Sequence, residues 1–417
     1  MRIGIVGAGP AGLTLAHALL YLHGKASIDE VRVYDRCDVL KPAVGGGLQL
    51  SCGAATLARL GIDVTKSAAP LRSVLSRNVD GTELLSLNVQ ESLQRAKAPL
   101  MDGDGAFGIM RETLMALLAE QIPDDGTLQL DKRVVSVRHA PGSGSATLCF
   151  EDGTEDTPDL VVGCDGISSV VKSGCFPNEA APEYSGVKML LAVAPAGTRP
   201  AGSEGAFHQW LGDGAYCLSA SYGGAGAGGP AIMNDMLALC YADAVSSTEN
   251  PGWLDDTSAA RAIMQDKLKG ADFPAEVNRV AEAATRFYET SVYFRTPSLK
   301  WSTGDGAAVL CGDAAHAMPP FLGQGANQAI LDAYRLASEI KQVGNEHPDI
   351  QAALKAYQSK RFLPTTKLLL NSRILGFLET QAEGGIPGAA FRDKFFYVTG
   401  KLGVAEFIFR DAATLVA

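Results

Sequence analysis

A chain of 417 residues, 47% hydrophobic and 20% charged, has the composition of a soluble globular protein and enough length for two or three domains or one large composite. Its formal net charge of −10, with no run of Lys and Arg, argues against nucleic acid or an anionic membrane as partner, because both need a concentrated basic face. The opening MRIGIVGAGP runs straight into a strand pattern and is expected to carry no signal peptide. The longest uncharged run, 214–234, is broken by GGAGAGGP, so no membrane span is expected. The eight cysteines form no C-x-x-C pair and the six histidines are scattered. Both features suit reduced thiols in a cytoplasmic enzyme without a metal site, and Cys149, Cys164 and Cys311 sit in apolar runs where a thiol packs as a small hydrophobe.

In chain order, RIGIVGAG reads as an apolar strand, PAGLTLAHALLYLHG as a helix ending at Gly24, and EVRVYD as an alternating strand ending on Asp35. The second half of VGGGLQLSCGAATLARLG is a helix closed by Gly61. LRSVLSRNVDGTELLSLNV is a hairpin turning at Asp80-Gly81. MRETLMALLAEQI is an amphipathic helix, and strands with polar turns follow to Gly166. Between 184 and 295 the strand-like pieces GVKMLLAVA, AFHQWLG, AYCLSASYG and MLALCYA alternate with small-residue linkers, and a helix rich in Ala, Glu and Arg follows. This region is expected to be a second domain with a mostly antiparallel sheet. AAVLCGD resumes the first domain as a strand, and 352–417 reads as helical with an aromatic tail, FRDKFFYVTG, that packs against the body.

Three motifs carry chemistry. Gly7, Gly9 and Gly12 form G-x-G-x-x-G between a strand and a helix, with Asp35 at the end of the next strand. Such glycines allow a tight turn and close backbone approach to a pyrophosphate, the helix N-terminus offers N–H groups to it, and the acid accepts from a ribose. Asp35 repels a 2′-phosphate, so NADPH is a poor fit at this site while NAD and FAD both remain open. DLVVGCDGISSVVK and AAVLCGD place Asp165 and Asp313 where a strand stops and a helix starts. There a carboxylate either caps the helix or holds a polyol chain.

With these motifs in this order, and GDAAHAMPPFLGQGANQAILDA the most specific of them, the chain resembles the single-component FAD-dependent aromatic hydroxylases, the group of para-hydroxybenzoate and salicylate hydroxylases and zeaxanthin epoxidase. The resemblance covers roughly residues 1–340 and is weakest between 184 and 295. It implies FAD, with Asp313 on the ribityl chain, Pro319 and Pro320 as a stiff wall where dioxygen reacts, and Gly323 to Asn327 (Gly325 and Ala326 included) presenting N–H groups to the flavin. It implies that Arg111 reaches FAD and that Asp165 lies near the FAD and nicotinamide sites. Ala11, Arg36, Gly47, Leu48, Val135 and Gly312 complete the cofactor-contacting set. The sequence departs from the family pattern at Lys172, where arginine is usual, and at Cys164. His316 is expected to be structural, and Met318 and Phe321 to be packing residues.

The implied fold is α/β: a Rossmann-like FAD-binding domain (1–72, 100–182 and 296–345), an inserted, mostly antiparallel substrate domain (73–99 and 183–295) and C-terminal helices (346–417). The implied activity is an NAD(P)H- and dioxygen-dependent monooxygenase that acts through a flavin hydroperoxide to hydroxylate or epoxidise a small aromatic, isoprenoid or polyketide substrate. Only one dinucleotide fingerprint occurs, so NADH or NADPH is expected to dock transiently. A halogenase or reductase on the same fold, or a non-catalytic FAD-binding protein, are the alternatives; the halogenase W-x-W-x-I-P signature is absent. His208, Trp210, Tyr216, Tyr222 and Arg295, on strand-like pieces of the middle region, are the pocket candidates. The protein is expected to be a monomer or homodimer.

Overall fold

The structure is a computed structural model and describes residues 1–23, 28–40, 46–95, 103–224, 232–246, 252–342, 349–380 and 388–403. Gly24, part of GGAGAGGP and the last fourteen residues of the chain lie outside these ranges. Chain order begins with β1 (Arg2–Val6), α1 (Pro10–His23), β2 (Glu30–Tyr34), β3 (Gly47–Leu50), α2 (Cys52–Arg59), β4 (Ala69–Pro70) and the hairpin β5 (Ser73–Asn78) and β6 (Glu83–Asn88). It continues with α3 (Val89–Arg95), β7 (Phe107–Met110), α4 (Arg111–Ala119), β8 (Leu128–Gln129), β9 (Val134–His139), β10 (Ala146–Phe150), β11 (Glu155–Asp156), β12 (Leu160–Gly163) and α5 (Val170–Cys175). The middle region holds β13 (Glu183–Pro195), β14 (Ala206–Leu211), β15 (Ala215–Gly224), β16 (Ile232–Ala242), β17 (Gly252–Trp253), α6 (Thr257–Gly270), α7 (Ala275–Ala283) and β18 (Arg286–Phe294). The chain ends with β19 (Ala308–Leu310), α8 (Asp313–His316), a single 3₁₀ turn (Pro320–Leu322), α9 (Gly325–Gln342), α10 (Ile350–Thr380) and α11 (Ala389–Lys401).

Among the described residues these strands form three sheets. A five-stranded parallel sheet, in the order β19-β12-β1-β2-β8, carries the glycine motif between β1 and α1. Its central strands are buried on both faces: α1 packs on β1 and β2, and β10 lies against them with Leu148 facing Gly4 and Phe150 the Tyr34 ring. β9, β10 and β11 form a small antiparallel sheet. The third sheet is large and mostly antiparallel, running β17-β18-β13-β16-β15-β14-β5-β6 with β3, β4 and β7 joined to it.

The period of two along these strands sorts their side chains onto two faces. Leu190, Ala192, Trp210, Cys217, Leu237 and Leu239 point outward and pack on Met264, Leu268, Val277 and Val280 of α6 and α7. Full burial of such side chains contributes roughly 1.5–3 kcal/mol each. Val193, Phe207, Ala220, Tyr222 and Met236 point inward, as do Tyr216 and Cys240. That inner face looks onto the cofactor-binding body and onto α10.

Two elements depart from the sequence expectation. RFYETSVYF is β18, paired along the whole of β13's middle, and two helices rather than one cover the outer face. In the tail, α11 buries only Arg392 and Phe396 and leaves Phe391, Phe395, Tyr397 and Val398 exposed. All eight cysteines are unpaired thiols, and Cys149 is half-buried rather than buried. Among the described residues no group of His, Cys, Asp and Glu could hold a metal, and no helix is long and apolar enough to cross a membrane.

Candidate active site

The glycine fingerprint is built by collision. Gly7 has φ +101°, and a Cβ there would lie 2.6 Å from the Cys164 carbonyl at the end of β12. A Cβ on Gly12 would lie 1.9 Å from the Gly7 oxygen. Gly9 is different: a Cβ would meet nothing within 4 Å, so its surface opens to a ligand. Behind it, Ala11 and Gly12 lie in the first turn of α1, whose N–H groups have no intrahelical acceptor. Asp35 closes this loop, its Oδ2 accepting from Ala8 N at 2.7 Å and its Oδ1 from Cys37 N at 2.9 Å. Each oxygen keeps a lone pair for a ribose hydroxyl. Arg36, beside it, is exposed.

The second aspartate both caps and waits. Asp165 Oδ2 accepts from Val170 N at 2.7 Å, while its buried Oδ1 has no partner. Burial raises its pKa, against the Ser169 hydroxyl and the N–H groups of α5. Gly312, with φ +63°, brings β19 against Ala11 and Ala329, so the next residue, Asp313, faces the start of α1. Asp313 is reached by solvent through the cleft yet flanked by protein, and that desolvation raises its pKa against the pull of His316 and Arg111. Arg111 opens α4 from the opposite wall. Its side chain has no hydrogen bond or ion pair among the described residues, and desolvation lowers its pKa while Asp313 and Tyr288 raise it. A half-buried, unpaired guanidinium calls for an anion.

The third motif makes the far end. Pro319 is buried, Pro320 is exposed, and Gly323 turns the chain at φ +62° against the Gln49 side chain. Gly325 starts α9 with open space where its Cβ would be, so the unpaired N–H groups of Gly325, Ala326 and Asn327 end at the cleft. The Asn327 side chain is fully committed: Oδ1 accepts from Ser51 N (2.8 Å) and Gly53 N (2.9 Å), and Nδ2 donates to Gln49 O (2.8 Å) and Gly323 O (3.2 Å). His316 is structural. Its ring pairs with Asp332 at 2.5 Å, and Asp332 also takes Arg361 Nε at 2.6 Å. Gly47 and Leu48 line the β3 wall, where a Cβ on Gly47 would strike the Tyr222 ring at 2.1 Å.

An orphaned buried carboxylate oxygen, an unpaired guanidinium, two open helix N-termini and a glycine opening onto empty space, all along one cleft, fit a long anionic dinucleotide such as FAD. The apolar inner face beyond the diproline turn fits a small organic ring.

Residues 232–372 match the family model described as FAD binding domain. Over 388 residues the chain is 31% identical to the 3-amino-4-hydroxybenzoate 2-monooxygenase of Streptomyces cremeus, covering 90% of this chain and 86% of that one. The chain belongs to the FAD-dependent aromatic hydroxylases. It is also 30% identical to the aurachin C monooxygenase/isomerase of Stigmatella aurantiaca over 362 residues, 86% of this chain and 84% of the other. The crystal structure of Klebsiella pneumoniae HpxO complexed with FAD and uric acid shares its fold, with a TM-score of 0.78 at 19% identity over 100% of this chain and 97% of that one. This aromatic hydroxylase is therefore an FAD-dependent monooxygenase with NAD(P)H as co-substrate and a small organic molecule as substrate.

The structure separates the pocket candidates. Tyr216 and Tyr222 are on the inner face; Tyr216 packs edge-on against Phe321 with ring centroids 6.1 Å apart. The Tyr222 hydroxyl pairs with Gln49, and burial pushes its pKa up to about 12. Next to Gln49 a cavity of about 30 Å³ is lined by Ser51, Leu71, Phe207 and Gln324, enough for a water, and lies against β3, β5 and β14 of the large sheet. His208 alternates with Phe207 and faces outward with Trp210, their rings 5.3 Å apart. Burial, then Arg199 and Arg77, push its pKa down to about 4, so it stays neutral. Arg295 does not line the face either: it donates to the Ile167 and Ala180 carbonyls at 2.8 and 2.6 Å and so pins the loop around α5. Val135 presents its side chain to solvent on β9, three residues after Lys132, whose N–H donates to Asp35 O. Lys172 is buried and pairs with Glu179 at 3.7 Å, a structural contact rather than a phosphate ligand. Sequence reasoning assigned no role to α10, which supplies the remaining wall: Ser372 Oγ donates to Pro319 O at 2.7 Å, and Phe321 lies against Gly376.

Proposed function

We propose that this monooxygenase inserts one oxygen atom from dioxygen into a small aromatic ring bearing an oxygen substituent, bound between the inner face of the large sheet and the diproline turn. One observation carries the reading. Most of that inner face is buried, but Met189, Gln209, Leu218 and Thr290 are half-buried opposite exposed Pro320 and half-buried Phe321 and Leu322. These accessible side chains are mainly apolar, which suits a ring, and they lie beside the cofactor cleft, which suits a reacting one.

FAD, when bound, supplies hydride acceptance from NAD(P)H and the activation of dioxygen. The chain supplies the rest. Asp35 would hold the adenosine ribose. The N-terminus of α1, with Gly9 and Arg111, would neutralise the pyrophosphate. Asp165 Oδ1 and Asp313 would accept hydroxyls of the linking chain. The N-terminus of α9, stiffened by Asn327, would stabilise negative charge at the ring's pyrimidine edge. Pro319 and Pro320, fixed through Ser372, would keep water and mobile side chains from the oxygen site. The names of the two relatives, acting on an aminohydroxybenzoate and on aurachin C, support an oxygenated aromatic substrate.

The test is oxidation of NADH and NADPH in air by the purified holoenzyme against a panel of phenols, aminophenols, aromatic acids and non-aromatic isoprenoids, with peroxide and products measured together. The expected result is stimulated NAD(P)H consumption with one ring-oxygenated product and little peroxide. Coupled turnover only with a non-aromatic isoprenoid, or with no compound of the panel, refutes the substrate class.

A further inference from the structure

The described residues include sixteen large hydrophobic side chains that are exposed, and nine of them lie between Leu363 and Leu402, on α10 and α11. Single exposed apolar residues need no explanation, but a concentration of this kind marks an interaction surface. The positions are ordered. On α10, Leu363, Leu370, Ile374 and Phe377 recur at helical spacing along one side. On α11, Phe391, Phe395 and Val398 form a second row that continues into Leu402 at the helix end. The opposite sides hold both helices to the body through one cluster, in which Phe396 packs with Leu211 and Tyr216 and is joined by Leu375 and Leu378. Packing against the body is thus supplied by the inner sides and does not account for the outer rows.

Charge says what covers these rows. Residues 350–403 carry eight Lys and Arg against three Asp and Glu, in a chain whose net charge is −10. The overall charge, which argued against an anionic membrane, does not describe this face. Of the acids on the two helices, Glu379 is buried, and Asp393 is half-buried and paired with Arg392. Every exposed charged side chain on the described α10 and α11 is basic, among them Lys367 and Arg373 on the first helix and Lys394 and Lys401 on the second. Two of these cations lie over aromatic rings: Arg373 is 4.1 Å from the centre of the Phe294 ring, and Lys401 is 5.6 Å from that of Tyr397. Apolar rows edged by cations on long stems suit a helix lying in the plane of a bilayer surface. The stems reach the headgroups while the rings enter the acyl boundary. A second copy of the chain on this face would bring like charges together. The fourteen residues after Gly403 carry one Glu, one Asp and one Arg, too little acid to answer the basic edge.

We propose that α10 and α11 form a docking face for an anionic phospholipid bilayer, with Phe391, Phe395 and Val398 entering the acyl boundary and Lys394 and Lys401 meeting the headgroups. The contact lies on the surface, since among the described residues no helix is long and apolar enough to cross.

The experiment uses the full chain loaded with FAD and two sets of vesicles, phosphatidylcholine alone and phosphatidylcholine with roughly one third phosphatidylglycerol, at low and high salt. Flotation reads binding, and sedimentation velocity reads the mass of the free protein. Wild type should bind the anionic vesicles about tenfold or more tightly than the neutral ones, and salt should weaken that binding. Lys394→Gln with Lys401→Gln should lower partitioning roughly thirtyfold, since each cation near the surface contributes about fivefold. Phe391→Ser with Phe395→Ser should lower it about tenfold or more at either salt. Both double variants should keep the wild-type FAD content, because the four side chains are exposed. Absence of flotation with the anionic vesicles overturns the proposal, as does equal flotation with the neutral ones. A wild-type dimer that Phe391→Ser with Phe395→Ser dissociates also overturns it, since a second copy then covers the face. Should the variants lose FAD, wild type decides alone: flotation that high salt does not weaken overturns the proposal.

Discussion

Replacing Asn327 with alanine tests whether the flavin end of the cleft depends on one side chain. Asn327 is 0% exposed and joins three segments: the β3–α2 loop, the Gly323 turn and α9. Asn327→Ala leaves the Ser51 and Gly53 N–H groups buried without acceptors, at about 1–3 kcal/mol each, and removes a donor from two carbonyls. The summed cost is about 3–5 kcal/mol. An unfolding entropy of roughly 2.1 cal/mol/K per residue over 417 residues gives about 0.9 kcal/mol/K, so Tm should fall by about 3–6 °C. FAD affinity should fall at least tenfold, because the α9 N-terminus loses its tie to Gln49. Scanning calorimetry of the apoprotein and a fluorescence titration with FAD read the two effects separately. Asn327→Asp keeps both acceptor bonds but sets a carboxylate oxygen against Gln49 O and Gly323 O, so it should recover less than half of the lost stability. An Asn327→Ala protein that melts within 1 °C of wild type and binds FAD equally well would refute the reasoning.

Gly12→Ala should abolish FAD retention, because its Cβ would lie 1.9 Å from the Gly7 oxygen and force the pyrophosphate turn open; flavin absorbance of the purified protein reads this. Arg111→Met should raise the FAD dissociation constant about ten- to hundredfold while leaving the apoprotein's Tm equal or higher, since the guanidinium is desolvated without a partner; a lower apoprotein Tm would count against its being unpaired. Glu379 should tilt the pH dependence of stability. Its folded pKa is raised, so the folded state holds a proton that the unfolded chain releases near the ordinary glutamate value. Stability from this group is full below that value and is lost as pH rises towards about 8, a slope that Glu379→Gln should remove from a series of thermal melts.

The turns of the proposed cofactor end were legible because their geometry is local. Gly7, Gly9, Gly12 and Asp35 act within 30 residues of one another, and the strand–turn–helix that surrounds them leaves its own mark on the sequence. Asp165 and Asp313 were legible for the same reason, each at a strand end. The substrate end was not, because its faces are set by register and by distant packing. His208 and Phe207 differ only in which side of β14 they occupy, and nothing in AFHQWLG says which side meets the flavin; the pairing of β14 with β5 and β15 decides it. β18 escaped because RFYETSVYF does not alternate: Phe287-Tyr288 and Val292-Phe294 are apolar runs around three successive polar residues, and its pairing with β13 and β17 decides its faces. Glu379 lies in a helix whose apolar residues show no clear stripe, and its burial depends on contacts with Gln209, 170 residues away.

The contrast between the two ends of the cleft has a chemical reason. At the proposed cofactor end, Asp35, Asp165, Asp313 and Arg111 would set discrete charges around a ligand that is itself charged, and an error of one charge there would change affinity. At the substrate end the side chains that reach the accessible face are mainly apolar, and the polar ones nearby, Gln209, Ser76 and Glu379, are tied to one another. Discrete charge beside the ring would hold water in the site, and water there would divert oxygen chemistry to peroxide. α10 is the element that touches both requirements. Ser372 fixes the diproline wall, and two turns later Glu379 holds Gln209 of β14. A change in this helix is thus expected to alter coupling before it alters FAD binding, whereas changes at Asn327 or Gly12 act in the opposite order.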